Sequence, residues 1–283
     1  AIIAASLAEG DSVISNVLLS NDIIATINGM RACGARIDID GDKLYIKGSR
    51  VIRKENIIDA NESGSTIRFM IPIALVSSEP ITFIGKNNLV NRPLDPYLDI
   101  FDRDGISYKK EEKYLPLFVS GGLKPGTYPI RGDISSQFIT GLLFALPMLD
   151  GDSVIEITTN LESKGYIDLT LDILSKFGIE IVNDNYQRFY INGNQKFKPY
   201  DYEIEGDFSQ SAFFLVADML GADINLKAMN LDSHQGDKKI LKDIKDFGGK
   251  IINDGRTINI DRVSLHSTTI DFSQSPDLGP ALT

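Results

Sequence analysis

Cysteine and histidine are scarce in this chain of 283 residues. The single cysteine, Cys33, cannot form a disulfide within the chain or build a cysteine-based metal cluster. The two histidines, His234 and His266, lie far apart in sequence, which argues against a histidine zinc site. We therefore expect no metal centre. We also expect no cofactor.

The chain also has few basic residues relative to acidic ones, and its apolar runs are short. The chain has 29 Lys and Arg against 39 Asp and Glu, a formal net charge of -10. This balance argues against broad binding to nucleic acid or to an anionic membrane surface, because both need a basic face. It is compatible with a small anionic substrate held by a few donors. The longest apolar run, residues 138–149, is too short to cross a membrane, and with no signal peptide visible we expect a cytoplasmic protein.

The composition is that of a globular protein with room for one large or two ordinary domains, since 42% of the residues are hydrophobic. The first residues, 1–7, look like the middle of a helix, and the last ones, 280–283, like the start of another. We therefore expect that segments are missing at both ends.

A hydroxyl-rich turn recurs at the heads of several predicted helices. The fullest copy, GDISSQ at residues 132–137, precedes an apolar helical run; related copies lie at 62–66 and 206–211, with a diverged one at 275–279. Free backbone N–H groups and small hydroxyls at a helix head attract anions. One such turn is ordinary helix capping, but its recurrence indicates a repeated unit.

A second recurring feature is an amphipathic helix that stops at a glycine and is followed by a β-type run. The four glycines lie about 70 residues apart, a steady period that predicts repeats sharing one core. They are Gly34, Gly105, Gly178 and Gly248. The sequence therefore predicts three complete units, part of a fourth, and a domain boundary near Glu205.

Within these units the pattern predicts strands, helices and hairpins in a fixed order. The predicted helices are 22–33, 93–102 with Pro93 in its first turn, 166–177 and 236–247. The predicted strands are 12–16, 35–39, 43–47, 81–84, 106–108, 117–119, 153–157, 179–181, 188–191 and 224–226.

Five ordered segments resemble the 3-phosphoshikimate 1-carboxyvinyltransferases, or EPSP synthases. They are ESGSTIR at 62–68, NRPL at 91–94, GDISSQF at 132–138, SKGYID at 163–168 and PD at 276–277. The resemblance implies the two-domain enolpyruvyl transferase fold, an inside-out α/β barrel of repeated βαβαββ units. Residues 1–204 would form the first domain and 205–283 an incomplete second one. It also implies a monomer that transfers the enolpyruvyl group of phosphoenolpyruvate to the 5-hydroxyl of shikimate 3-phosphate.

The same resemblance assigns roles to individual residues. Those that match ligands of shikimate 3-phosphate are Ser135, Ser136, Gln137, Ser163, Tyr166 and Asp277. Those that match ligands of phosphoenolpyruvate are Gly64, Arg92 and Gln137. Asp277 matches the carboxylate that accepts the proton of the attacking hydroxyl, a general-base role. A planar guanidinium such as that of Arg92 suits a phosphate dianion.

Some positions depart from the family or find no role in it. Gly165 stands where the family commonly has proline, and Glu62 and Arg68 receive no assignment. The family's basic motif would precede Ala1, and its acid-donor glutamate and further cations would follow Thr283, so we expect the chain by itself to be inactive.

Two other functions compete with this interpretation. The related UDP-N-acetylglucosamine 1-carboxyvinyltransferases usually have a reactive cysteine shortly before the arginine that matches Arg92, whereas residues 85–91 contain none. A non-catalytic anion-binding module would keep the helix heads without the chemistry.

Overall fold

The computed structural model describes residues 1–254, 257–262 and 264–283. They form two compact units. Unit 1 comprises Ala1–Leu161 and Thr170–Ile204, and unit 2 comprises Glu162–Leu169 and Glu205–Thr283. The sequence-based domains 1–204 and 205–283 remain a proposal; the segment Glu162–Leu169 packs with unit 2.

Unit 1 is an alternation of short strands and helices. Its strands are β1 (Gly10–Ser15), β2 (Arg36–Asp40), β3 (Lys43–Gly48), β4 (Ile57–Asp59), β5 (Ile81–Ile84), β6 (Ser107–Lys110), β7 (Leu117–Ser120), β8 (Thr127–Ile130), β9 (Ser153–Ile157), β10 (Ile181–Asp184), β11 (Arg188–Ile191) and β12 (Tyr202–Glu203). Its helices are α1 (Ile2–Leu7), α2 (Asn21–Ala32), α3 (Gly64–Ala74), α4 (Asp95–Asp104), α5 (Ser136–Ala145) and the part of α6 (Lys164–Lys176) from Thr170 onward. Two 3-10 helices, Asn87–Asn91 and Leu146–Met148, complete it.

The three repeats of unit 1 build three sheets with one plan. The strand orders are β12-β1-β3-β2, β4-β5-β7-β6 and β8-β9-β11-β10. In each sheet the first pair is parallel and the others are antiparallel. The parallel strand is always supplied by another repeat: β4 and β8 pass to the next sheet, and β12 returns to the first. The three repeats therefore close on one another.

The recurring glycines have the backbone conformation that the repeat requires. Gly34, Gly105, Gly178 and Gly248 have φ of 112°, 70°, 79° and 96°, respectively. An L side chain is strained at such angles, so glycine allows each helix to end and the chain to turn into the next strand.

The recurring turns cap their helices. The Ser63 hydroxyl accepts a hydrogen bond from Thr66 N at 3.2 Å, and the Ser135 hydroxyl accepts one from Gln137 N at 3.3 Å. In unit 2 the Asp207 carboxylate accepts from Ser209 N at 2.8 Å. Each satisfies a backbone donor that the first helical turn leaves free.

Unit 2 has one antiparallel sheet covered by helices. Its elements are α7 (Phe208–Met219), α8 (Ile240–Asp246), α9 (Gly279–Leu282), β13 (Leu226–Lys227), β14 (Gly249–Asn253) and β15 (Thr257–Arg262), with 3-10 helices at Gly236–Lys239 and Pro276–Leu278. The strand order is β13-β15-β14. Phe208, Leu215, Ile240, Ile244 and Leu278 belong to its buried core.

Several boundaries differ from the sequence prediction. Pro93 lies outside the helix it was expected to open: Leu94, with φ −121° and ψ 13°, is not helical, and α4 begins at Asp95 with Pro96 in its first turn. Helix α6 begins at Lys164, before the expected residue 166. Strands β4 and β8 were missed because β4 has three residues and β8 contains Pro129, so neither shows a clear alternating pattern.

Candidate functional site

Unit 1 places an arginine against the head of α3. Arg92 follows the 3-10 helix Asn87–Asn91, and a Cβ atom added to Gly64 would collide with its Nη1 atom. Arg92 is exposed, and its guanidinium makes no hydrogen bond or ion pair with other residues that the structure describes. Two of the three residues predicted to hold phosphoenolpyruvate, Gly64 and Arg92, therefore touch, and glycine at 64 allows this approach.

Glu62 helps to fix this arrangement. The Asn87 side-chain amide donates to Glu62 Oε1 at 2.8 Å, and Lys86 N donates to Asn61 O at 2.6 Å. These bonds join the turn before α3 to the segment that leads to Arg92. Glu62, for which the sequence indicated no role, is thus a structural link within the turn.

Arg68 is a second cation beside the first. Its Nη1 atom donates to Gln137 Oε1 at 2.7 Å, and its guanidinium carbon lies 4.8 Å from the centroid of the Phe138 ring. Burial lowers the pKa of Arg68, and the nearby charge of Arg92 lowers it further. Its Nε is buried without a hydrogen bond in the described part of the chain. Arg68 therefore links the cationic head of α3 to Gln137, a residue predicted to contact both substrates.

A buried tyrosine holds the backbones of α3 and α5 together. The Tyr97 hydroxyl lies 2.6 Å from Arg68 O and 2.9 Å from Phe138 O. Arg68 O has no helical partner, because Pro72, four residues later, lacks an N–H group. A Cβ added to Gly141 would lie 2.5 Å from Arg68 O, so the two helices meet where α5 has no side chain.

The serines at the head of α5 have different environments. Ser135 is half-buried and caps the helix, whereas Ser136 is 7% exposed. Because the Ser135 oxygen only accepts in its cap, its hydroxyl hydrogen remains a possible donor to a ligand.

Unit 2 brings together a tyrosine and two carboxyl groups. The Tyr166 hydroxyl donates to Asp277 Oδ2 at 2.7 Å and also lies 3.0 Å from Asp237 Oδ2. Asp277 is exposed, whereas Asp237 is only 4% exposed. Burial, followed by the hydrogen bond and charge of the two aspartates, raises the pKa of Tyr166. Asp237 was missed by sequence reasoning, although its place in QGD at 235–237, at the head of a predicted helix, was a usable signal.

The glycine that departs from the family lies where two backbones approach. A Cβ added to Gly165 would stand 2.5 Å from Gly236 Cα, so a side chain there would collide with backbone. Nearby, Lys164 N donates to Gln274 Oε1 at 3.2 Å, and Ser163 has a positive φ of 55°. Gly165 thus lets the segment with Ser163 and Tyr166 pack against the helix that carries Asp237.

Two cavities of unit 1 are lined by other residues. One has a volume of about 260 Å³ and includes Glu9, Arg50 and Phe197; the other, of about 510 Å³, includes Asn61 and Lys86. None of the residues predicted for substrate binding lines either cavity. The candidate groups are therefore defined by their contacts and not by these cavities.

The residues that the structure describes contain neither a metal-ligand cluster nor a membrane-spanning helix. Within those residues, no group of three or more His, Cys, Asp or Glu is placed to hold a metal ion. Over the same ranges, no helix is long and apolar enough to span a membrane.

The strands and helices of unit 1 define a class of fold, a repeated α/β protein whose three sheets share one plan and exchange strands. Comparison with known proteins identifies the family. The family model of EPSP synthase (3-phosphoshikimate 1-carboxyvinyltransferase) matches residues 1–283. The chain belongs to this family.

Individual relatives agree with the family match. The chain is 50% identical to a 3-phosphoshikimate 1-carboxyvinyltransferase of Clostridium perfringens (strain SM101 / Type A), covering 100% of this chain and 68% of the relative. It is also 50% identical to the one from Clostridium novyi (strain NT), covering 67% of it. The chain therefore spans about two thirds of the length of these relatives.

Solved structures show the same fold. An EPSP synthase from Acinetobacter baumannii superimposes with a TM-score of 0.83 at 20% identity, over 99% of this chain and 66% of that one. A second structure of EPSP synthase from the same organism gives a TM-score of 0.80. The enolpyruvyl transferase fold expected from the sequence is thereby confirmed.

Proposed function

We propose that this chain serves the reaction of its family: the enolpyruvyl group of phosphoenolpyruvate passes to the 5-hydroxyl of shikimate 3-phosphate, and phosphate is released. The observation that carries this proposal is the position of Arg92, an exposed guanidinium lying against Gly64 and beside the half-buried Arg68. Two neighbouring cations in a protein of net charge -10 are best accommodated by a bound anion.

In unit 1 the proposed ligands of phosphoenolpyruvate are Gly64, Arg92 and Gln137. Because Gly64 has no side chain, the Arg92 guanidinium lies against the head of α3, where it offers the planar donor fork that suits a phosphate. Gln137 is oriented by its bond to Arg68, 2.7 Å long. Ser135, Ser136 and Gln137 are proposed to bind shikimate 3-phosphate.

In unit 2 we assign the proton transfer to Asp277. As the 5-hydroxyl oxygen bonds to C2 of phosphoenolpyruvate, its proton passes to the Asp277 carboxylate, which acts as general base. The methylene carbon takes a proton from a general acid and becomes a methyl group. Loss of phosphate from C2, together with return of a proton from this methyl group to a base, then restores the double bond. Tyr166 orients Asp277 at 2.7 Å, and Ser163 is a further proposed ligand of shikimate 3-phosphate.

The two alternatives find less support. The UDP-N-acetylglucosamine 1-carboxyvinyltransferases usually have a reactive cysteine. Cys33 is 2% exposed, and burial raises the pKa of its thiol to about 12. A binding module without chemistry would have no use for the Tyr166–Asp277 pair. We also propose a cytoplasmic monomer without a cofactor, acting on small anionic substrates.

The test is phosphate release by the complete protein with phosphoenolpyruvate and either shikimate 3-phosphate or UDP-N-acetylglucosamine. Release with shikimate 3-phosphate alone supports the proposal. Release with the second acceptor alone assigns the protein to the other branch, and no release with either favours the binding module.

A further inference from the structure

The hydroxyl of Tyr166 lies between two carboxyl groups but can donate only one hydrogen bond. It lies 2.7 Å from Asp277 Oδ2 and 3.0 Å from Asp237 Oδ2. A hydroxyl donates a single hydrogen bond, and an ionised carboxylate can only accept. If both aspartates were ionised, one charged oxygen would face the lone pairs of the hydroxyl at hydrogen-bond distance. One of the two carboxyl groups must therefore carry a proton.

Burial identifies which one. Asp277 is exposed to water, which can hydrate a charge, whereas Asp237 is 4% exposed. Moreover, Asp237 Oδ1 is buried and has no hydrogen bond among the residues that the structure describes. An ionised carboxylate in that position would lose its hydration without compensation, while the neutral form loses far less.

The charges around Asp237 do not compensate for ionisation. Lys238 of the same 3-10 helix donates to Ser233 O at 2.6 Å, and Lys239 pairs with Asp243 at 2.7 Å. Burial is the largest effect and raises the pKa of Asp237. A hydrogen bond donated by Tyr166 to the ionised form lowers this pKa, and the charges of Asp277 and Asp207, at the head of α7, raise it.

We propose that the Asp237 carboxyl group is protonated and donates a hydrogen bond to the Tyr166 oxygen. The Tyr166 hydroxyl then donates its own hydrogen bond to Asp277 and orients that carboxylate as the proton acceptor. Asp237 is then a positioning residue, one step removed from the reacting atoms. This inference rests on the proposed function, in which Asp277 is the general base.

The neutral state of Asp237 also limits negative charge beside an anionic substrate. When the proton leaves Asp237, Tyr166 is shared between two carboxylates and an additional charge lies near the site of shikimate 3-phosphate. Binding of that substrate should weaken by about fivefold, the effect of a unit charge about 9 Å away at an effective dielectric constant of roughly 40.

The first test follows the carboxyl group itself. In the complete protein labelled with 13C at aspartate side chains, the carboxyl resonance that is lost in Asp237→Asn should titrate at higher pH than those of exposed aspartates. Titration at an ordinary value of about 3.9 would overturn the proposal. Asp246→Asn, which removes an exposed carboxylate paired with Lys242 at 2.7 Å, is the matched control and should leave that resonance in place.

The second test follows the Michaelis constant for shikimate 3-phosphate as a function of pH. In the wild type and in Asp246→Asn, this Michaelis constant should increase about fivefold as the pH rises and Asp237 loses its proton. Asp237→Asn should lack this component, because its amide can donate to Tyr166 but cannot ionise. An identical increase in Asp237→Asn overturns the inference. If the wild type does not turn over these substrates, the proposed function fails, and the carboxyl titration still decides the state of Asp237.

Discussion

Units 1 and 2 present opposite charges at comparable places in their folds. In unit 1 the candidate groups are Arg68 and Arg92, gathered at the head of α3. In unit 2 they are Asp237 and Asp277, gathered around Tyr166 beside two short 3-10 helices. Both clusters lie where a turn leads into a helix, so the repeated fold supplies the position and a few side chains decide the chemistry.

The difference between the clusters suggests a division of labour. The helix heads are partly occupied by their own caps, as Ser63 and Ser135 show. We propose that unit 1 depends on the guanidinium groups to attract anions and that the carboxyl groups of unit 2 accept and hold protons. Binding should be most sensitive to changes in unit 1, and the chemical step to changes in unit 2.

The largest effect is expected for Asp277→Asn. The amide keeps the shape of the side chain but cannot accept the proton, so kcat should fall by roughly 10²–10⁴-fold. Phosphate release by the complete protein measures this loss. Asp271→Asn is the control, because Asp271 is exposed and accepts a hydrogen bond from Ser273 N at 2.8 Å. Equal activity of the two variants would exclude Asp277 as the base.

Arg92→Lys should have the next largest effect. Lysine keeps the charge but loses the planar fork, so kcat/KM for phosphoenolpyruvate should fall about 10–100-fold, as for a lost charge-assisted hydrogen bond. Steady-state kinetics at saturating shikimate 3-phosphate measure it. Arg36→Lys, on the exposed hairpin where Arg36 pairs with Asp38 at 3.3 Å, should behave as wild type. A similar loss in both variants would contradict the assignment.

Gly64→Ala should act through the same contact. The new Cβ would displace the flexible end of Arg92, so the protein should fold while KM for phosphoenolpyruvate rises about tenfold, or ~1.4 kcal/mol. In the double variant with Arg92→Lys the two effects should be less than additive, since both disturb one contact. Full additivity would show that Gly64 acts independently of Arg92.

Tyr97→Phe tests the packing that supports Arg68. The change leaves Arg68 O without its partner at 2.6 Å, which should lower the free energy of unfolding by about 1–3 kcal/mol. Urea denaturation measures it. Tyr45→Phe, at an exposed position on β3, should change stability by less than about 0.5 kcal/mol. If Tyr97→Phe is equally neutral, the tyrosine does not hold α3 to α5.

The smallest effect is a pH dependence in unit 2. Asp237 has a pKa raised above its ordinary value of 3.8, so the folded state binds more protons than the unfolded chain. Its stabilising contribution is present at low pH and is lost as the pH rises from 3.8 through the folded pKa. Unfolding monitored against pH should show this decline in the wild type and not in Asp237→Asn. If the free energy of unfolding depends on pH in the same way in both proteins, the prediction for Asp237 is wrong.

The fold was predictable where local rules apply. The glycines at the helix ends and the serine caps follow from backbone geometry and hydrogen bonding within a few residues. The predicted hairpin is present as β2 and β3, with Ile39 opposite Leu44. Strands β4 and β8 were not visible, because their parallel pairing with β5 and β9 depends on distant parts of the chain.

The site was predictable only in part, because its contacts join parts of the chain that are distant in sequence. The motifs led to the prediction of Arg92 and Asp277 as site residues, which stays a prediction. No local signal joins Tyr97 to Arg68 or Tyr166 to Asp237, which are 29 and 71 residues apart. Asp237 appears in the sequence as one acidic residue among 39 Asp and Glu. Its importance comes from burial, which the folded structure alone reveals.

The most direct test of the division of labour is the equilibrium affinity of phosphoenolpyruvate for the shikimate 3-phosphate complexes of Asp277→Asn and Arg92→Lys, measured by calorimetry on the complete protein. We expect Asp277→Asn to bind phosphoenolpyruvate within about threefold of the affinity measured for wild type under non-turnover conditions, and Arg92→Lys to bind it about 10–100-fold more weakly. Weak binding by Asp277→Asn together with unchanged binding by Arg92→Lys would contradict the account.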